Sequence, residues 1–134
     1  MSATCGRRGT VHFDTDVLIW ALRGDPRAAA CIDAAQEPGV SVMVYMELVQ
    51  GAKDKRDLKL IRAFVTDLGF RILPLTDAIG QQASELMELH ALKNALSPAD
   101  AIIAATALQA KMPLCTGNAK HYRAIAGLEL RVFR

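Results

Sequence analysis

The sequence predicts one α/β domain, with a central parallel sheet of about five short strands flanked by helices. Three observations predict it. Short β-prone runs alternate with helical stretches, the order that builds a parallel sheet. The 134-residue length suffices for a single core without staples. The 51% hydrophobic content is largely alanine and leucine, as helices packed on a buried sheet require.

Met1 to Thr10 reads as a flexible extension, and residues 11–134 as the folded domain. Val11-His12-Phe13 is a short strand closed by Asp14, and Asp16 to Leu22 a helix stopped by Gly24. Pro26 opens a second helix, Arg27 to Gln36, ended by Pro38-Gly39. Val40 to Val44 is the second strand, and Met46 to Ala52 a helix with Glu47 in its first turn. Leu58, Ile61, Phe64, Val65 and Leu68 mark an amphipathic helix over 57–68. Phe70 to Leu73 is the third strand, and Thr76 to Lys93 a longer helix. Ser97-Pro98 starts another helix, with a capping residue and proline at its first position. Leu114-Cys115 and Leu130 to Phe133 complete the strands.

Composition excludes several classes. No run approaches the roughly 20 apolar residues of a membrane span, and Arg7-Arg8 are not followed by the apolar stretch of a secretory signal. Cys5, Cys31 and Cys115 are odd in number and form no CxxC pair. That argues against a zinc site or a disulfide framework, for a reducing compartment, and so for the cytoplasm. The net charge of +2 implies no partner by itself. Lys53, Lys55, Arg56, Lys59 and Arg62 do cluster, but Asp54 and Asp57 dilute them, and such a run is commonly a solvated helix face.

The polar residues left inside apolar segments are more informative. Asp14 ends the first strand, Glu47 is the only charge between Val40 and Gln50, and Asp100 the only charge between Ser97 and Ala110. A carboxylate in apolar surroundings costs several kcal/mol unless a cation or hydrogen-bond donors compensate it. With no basic residue close by in sequence, a shared divalent cation is the natural partner: Mg²⁺, with Mn²⁺ as the alternative. In an open parallel sheet, ligands bind beyond the carboxyl ends of the strands. Asp14, Glu47 and the Thr116-Gly117-Asn118 turn all follow strands, and Asp100 can reach the same rim from the first turn of its helix. Acids so placed suit metal-assisted phosphodiester hydrolysis. Asp14, Glu47 and Asp100 would be the catalytic and metal-binding residues; Thr15, Thr116 and Asn118 would position substrate or water.

Plainer roles exist for each residue. Asp100 lies three positions after Ser97, as in a capping box, and Glu47 read alone is a first-turn acid favoured by the helix dipole. Asp14-Thr15-Asp16 can be a helix N-cap pair, and Asp16 reads as a cap. His121 and Tyr122 read as local packing or capping residues, and His90 as a helix-face residue.

The segments FDTDVLIW, VYMELVQGA and SPADAIIAATALQAKMPLCTGNAKHYRAI resemble those of PIN domains, in particular the VapC-type toxin ribonucleases of toxin–antitoxin pairs. The resemblance runs from Val11 to Phe133 with the motifs in the family's order. It implies that Asp14, Glu47 and Asp100 form an acidic Mg²⁺ or Mn²⁺ site, with Thr116 and Asn118 on the last motif's turn. It further implies endonucleolytic cleavage of RNA, inhibition by a cognate antitoxin protein, and a homodimer. One departure stands out. Many relatives carry a fourth carboxylate where this chain has Asn118 or His121, so a second metal would be held weakly.

Two alternatives compete. Phe13-Asp14-Thr15-Asp16-Val17-Leu18 also fits the opening signature of haloacid-dehalogenase-type phosphatases, although the late acidic pair and lysine of that family have no match. A PIN-like module with a degenerate site, binding RNA or protein without cutting, is the non-enzymatic reading.

Overall fold

The structure, a computed structural model, describes residues 10–133. The proposed extension therefore lies outside the described residues, apart from Thr10, which begins the first strand. In chain order the elements are β1 (Thr10–Phe13), α1 (Thr15–Leu22), α2 (Pro26–Ala34), β2 (Glu37–Ser41), α3 (Val42–Gln50) and α4 (Lys55–Asp67). There follow β3 (Arg71–Leu73), α5 (Asp77–Asn94), α6 (Pro98–Ala110), β4 (Leu114–Thr116), α7 (Ala119–Tyr122) and β5 (Leu130–Val132).

The strands form one five-stranded sheet in the order β3-β2-β1-β4-β5, and every pairing is parallel. The expected fold class is the one found. Chain order reverses direction between β1 and β4, where His12 pairs with Leu114 and Phe13 with Cys115. This switch point opens a crevice beyond the strand ends, and both strands stop there at polar residues.

Most helix starts follow the local chemistry of the sequence. Asp25, Ser41, Asp54, Thr76 and Ser97 each accept a backbone N–H at the start of their helices. Ser41 is decisive for the site, because it stops β2 and starts α3 at Val42. The second strand thus ends three residues earlier than expected, and Glu47 lies in the second turn of α3, not the first. The dipole-favoured role considered for Glu47 is removed. The short helix α7 was not foreseen, since four residues carry too little periodicity to read.

The central strand is buried on both faces, with Val11 and Phe13 on one and His12 on the other, as a sheet covered by helices on both sides requires. α6 contributes Ala101, Ile103, Ala104, Ala105, Thr106 and Ala107, nearly all fully buried; the small side chains let it lie close to its neighbours. His12 is also fully buried, and neither ring nitrogen has a hydrogen-bond partner. Burial holds its imidazole well below the ordinary range, at about 4, so it is a neutral core residue. Cys115, fully buried in β4, is disulfide-bonded. Wide, odd cysteine spacing excluded a multi-bridge framework but not one bond between sites brought together by folding. Among the described residues no helix is long and apolar enough to cross a membrane.

Candidate metal centre

Asp14 sits where β1 becomes α1, and it is the residue that caps α1, accepting the Thr15 N–H at 2.8 Å. Asp16, expected to be the cap, instead stands in the first turn of that helix. The displacement follows from the strand running directly into the helix: the last extended residue supplies the cap. The second oxygen of Asp14 accepts the Thr116 hydroxyl at 2.8 Å, and the Asp14 N–H donates to the Cys115 carbonyl at 2.9 Å. The ends of β1 and β4 are therefore tied side to side.

The Thr116-Gly117-Asn118 turn folds back on the same point. Thr116 Oγ1 accepts the Asn118 N–H at 2.9 Å, and Asp16 Oδ2 accepts the Gly117 N–H at 3.0 Å. Only glycine fits at position 117, because a Cβ there would stand 2.7 Å from Asp16 Oδ2 and 2.8 Å from the Trp20 ring. Asn118 itself is exposed, and its side chain caps nothing.

Asp100 reaches this rim from the first turn of α6. Its N–H donates to Ser97 Oγ at 3.1 Å, so the capping interaction read from the sequence is present. Its carboxylate is used elsewhere. Oδ1 accepts the Tyr122 hydroxyl at 3.2 Å, and Oδ2 lies 3.3 Å from His121 Nδ1. The buried Tyr122 phenol also lies beside Asp14, whose charge it feels, so two of the acids face one hydroxyl. This corrects the reading of His121 and Tyr122 as local packing or capping residues. Their contacts depend on α7 lying under the start of α6, which no local pattern encodes. His90 meets Asn94 on its own helix at 2.9 Å, as a helix-face residue would.

Glu47 accepts the Thr15 hydroxyl at 2.5 Å, which joins α3 to the same strand end. It also lines a groove of about 400 Å³ between α1, α3 and α4, together with Ile19, Leu22, Leu48, Leu60 and Lys53.

The electrostatics reflect crowded acids. Burial, and then the charge of Asp16, push the Asp14 carboxyl up to about 6; the Thr116 and Thr15 hydrogen bonds pull the other way. Asp16 is raised by burial and also by the charge of Asp100. Tyr122 is pushed above its ordinary range by burial and by both neighbouring carboxylates, so it remains a neutral donor.

Among the described residues no three His, Cys, Asp or Glu side chains are arranged to hold one ion. The hydroxyls of Thr15, Thr116 and Tyr122 take up carboxylate oxygens that a cation would otherwise use. The donor set nevertheless fits a hard divalent ion. It consists of carboxylate and hydroxyl oxygens, it lacks a Lys or Arg partner, and Asp16 Oδ1 is buried without a hydrogen-bond partner. Sequence reasoning missed Asp16 and Tyr122 as members of this cluster. For Asp16 a signal existed, since a second acid two residues after Asp14 leaves the same strand end.

Comparison with known proteins agrees with this architecture. The PIN domain family profile matches residues 11–127, so the chain belongs to the PIN domain family. A toxin–antitoxin complex from Klebsiella pneumoniae contains a chain of the same fold, with 26% identity and a TM-score of 0.77, covering 92% of this chain and 99% of that one. DNA-bound VapBC from Salmonella typhimurium gives 20% identity and a TM-score of 0.77, over 92% and 96% of the two chains. FitAcB from Neisseria gonorrhoeae gives 22% identity and a TM-score of 0.69, over 90% and 95%. No curated protein matches the chain in sequence.

Proposed function

We propose that this chain is a divalent-metal-dependent endoribonuclease and the toxin of a toxin–antitoxin pair. The observation that carries the proposal is the gathering of acids at the switch point of a PIN fold: Asp14 is tied to the end of β4 by Thr116, Asp100 receives the neighbouring Tyr122 hydroxyl, and Asp16 and Glu47 are joined to the same strand end. The toxin assignment is supported by the structural relatives, which are toxin–antitoxin complexes.

In this reading Asp14, Glu47 and Asp100 hold Mg²⁺ or Mn²⁺. The bound ion would supply activation of water and charge stabilisation at the scissile phosphate. The protein's part is positioning. Thr116 orients Asp14, Thr15 orients Glu47, and Tyr122 orients Asp100. The exposed Asn118 stands at the rim, where a substrate phosphate or water would be met.

A protein partner is supported by the groove beside Glu47, flanked by Leu22 and Leu60, which are 38% and 58% exposed. Apolar groups at a groove edge suit an antitoxin segment. Leu89 and Leu92, on one face of α5, are 69% and 100% exposed and suit a homodimer contact. The proposed setting is the cytoplasm.

The test is cleavage of labelled RNA by the purified chain with Mg²⁺, with Mn²⁺ and with chelator. Cutting that needs a divalent ion and is lost in Asp14→Asn supports the proposal. RNA bound equally with and without ions, and left intact, would favour the non-catalytic module. Hydrolysis of a small phosphomonoester instead of RNA would favour the phosphatase.

A further inference from the structure

Asp14, Asp16, Glu47 and Asp100 gather at one rim, and none of them is paired with a lysine or arginine among the described residues. A nucleic-acid backbone is a chain of negative phosphates, so such a rim repels RNA unless protein cations stand close by. Salt screens exposed charges beyond about 10 Å at 0.1 M, so the cations that count must lie within roughly that distance.

The short helix α7 places two there. It starts after Asn118, the residue that follows Gly117, whose N–H donates to Asp16. Lys120 stands on α7 and Arg123 ends it, so at i and i+3 they are neighbours on one flank. With a rise of about 1.5 Å per residue, Arg123 stands about 7.5 Å along the axis from Asn118. Both cations are exposed, and neither is in an ion pair among the described residues.

The helix is held from its other side. Ala119 and Tyr122 are buried, and so is Ile125 just beyond. The two residues between the cations are the ones that reach Asp100. His121 Nδ1 lies 3.3 Å from Oδ2, and the Tyr122 hydroxyl donates to Oδ1 at 3.2 Å. The backbone that carries Lys120 and Arg123 is thus fixed against the acid rim. Basic residues also line α4, but α7 is the element whose own side chains touch Asp100.

We propose that Lys120 and Arg123 form an RNA-backbone clamp, binding phosphates on either side of the scissile one as the strand crosses the rim. The proposal rests on the nuclease reading and deepens it, by naming where the substrate is held. Phosphate contacts carry no sequence information, so the clamp should hold all RNA sequences alike.

The chain's single tryptophan reports on this place. A Cβ at Gly117 would stand 2.8 Å from the Trp20 ring, so Trp20 borders the turn from which α7 starts.

The experiment is titration of the full chain with a labelled oligoribonucleotide in Mg²⁺, in an Asp14→Asn background that leaves the RNA intact. Anisotropy over a salt series and Trp20 emission are both read. Two pairs of changes are compared with the background: Lys120→Ser with Arg123→Ser, and the charge-conserving Lys120→Arg with Arg123→Lys. We expect the serine pair to bind at least tenfold more weakly at low salt, and its salt slope to fall by about 1.4, or about 0.7 per lost contact. The charge-conserving pair should bind within threefold of the background, and bound RNA should change Trp20 emission. The melting temperature of the serine pair should be unchanged, because both side chains are exposed; a loss of RNA binding that comes with a lowered melting temperature would make the pair structural and overturn the clamp. RNA affinity within twofold of the background and an unchanged salt slope in the serine pair overturn it also. So does an equal loss in the charge-conserving pair, or RNA that binds without altering Trp20 emission. A background chain that binds no RNA overturns the clamp, and if the wild-type chain also cuts none, the nuclease reading falls with it.

Discussion

Thr116 donates its hydroxyl to Asp14 at 2.8 Å, across 102 positions of sequence, and so joins the ends of the two strands between which the sheet reverses its order. The same hydroxyl oxygen accepts the Asn118 N–H, which shapes the turn that touches Asp16. One threonine therefore aligns the first and last motifs of the site.

Removing the charge of Asp14 should abolish cleavage and leave the fold intact. Asp14 is 6% exposed, and its carboxyl is pushed up to about 6 by burial and by Asp16. In Asp14→Asn that buried charge is gone, so metal-free stability at pH 8 should equal or exceed wild type, by up to roughly 2 kcal/mol. RNA cleavage at saturating Mg²⁺ and chemical denaturation in chelator measure the two effects. A variant that cuts at the wild-type rate would exclude Asp14 from the reaction.

Acid pH should expose two opposing titrations in metal-free protein. The folded pKa of His12 is depressed to about 4, below its ordinary 6.5, so its contribution is complete above pH 6.5 and is lost as pH falls towards 4. Asp14 is raised from 3.8 to about 6, so its contribution has the other sign: it is present below 3.8 and lost as pH rises through 6. Wild-type stability should therefore change little between pH 4 and 6. In Asp14→Asn the His12 loss is unmasked, on the order of 3 kcal/mol over that window. Urea midpoints of both proteins across this pH range decide it; parallel profiles would contradict the assignment.

Tyr122→Phe should loosen the acid pair without emptying the core. The phenol donates to Asp100 at 3.2 Å and lies beside Asp14, while its ring is buried and is retained as phenylalanine. Loss of a hydrogen bond to charged groups should cost about 1–3 kcal/mol. Turnover should fall more than RNA binding, because the variant alters acid spacing and not a surface that meets RNA. Cleavage kinetics that show only a raised KM would count against the positioning role.

Gly117→Ala should be disproportionately harmful for one methyl group. The Cβ would meet Asp16 Oδ2 at 2.7 Å and the Trp20 ring at 2.8 Å, so the turn must move away from both. We expect a loss of about 1–3 kcal/mol in stability, together with weaker Mn²⁺ binding. Gly80→Ala is the control, since a Cβ there has nothing within 4 Å. Equal behaviour of the two variants would show that the close approach at Gly117 is unimportant.

The basic face of α4 offers a test of how RNA is held. Lys55, Arg56, Lys59 and Arg62 are exposed, and none is in an ion pair among the described residues. The acids that dilute the run in sequence are occupied: Asp54 accepts the Asp57 N–H, and Asp57 accepts the Lys53 N–H. If this face follows the phosphate backbone, replacing Lys59 and Arg62 by serine should weaken binding equally across RNA sequences. The salt dependence should fall by about 0.7 per lost contact. An unchanged salt slope would leave α4 as a solvated face.

The sequence by itself determined the alternation of elements, the parallel sheet, most of the helix caps and the addresses of Asp14, Glu47, Asp100, Thr116 and Asn118. These are local properties: periodicity, capping chemistry, and a lone acid at the end of an apolar run each act within a few residues. Tertiary structure decided which groups satisfy those acids. Tyr122 reaches Asp100 across 22 positions, Thr15 reaches Glu47 across 32, and Gly117 reaches Asp16 across 101. It also decided that Asp16 joins the acid cluster while Asp14 takes over its expected capping role. The physical reason is that a hydrogen bond or a Coulomb interaction depends on separation in space. Separation at the rim of a parallel sheet is set by crossovers that bring the ends of β1 and β4 together, however far apart they lie along the chain.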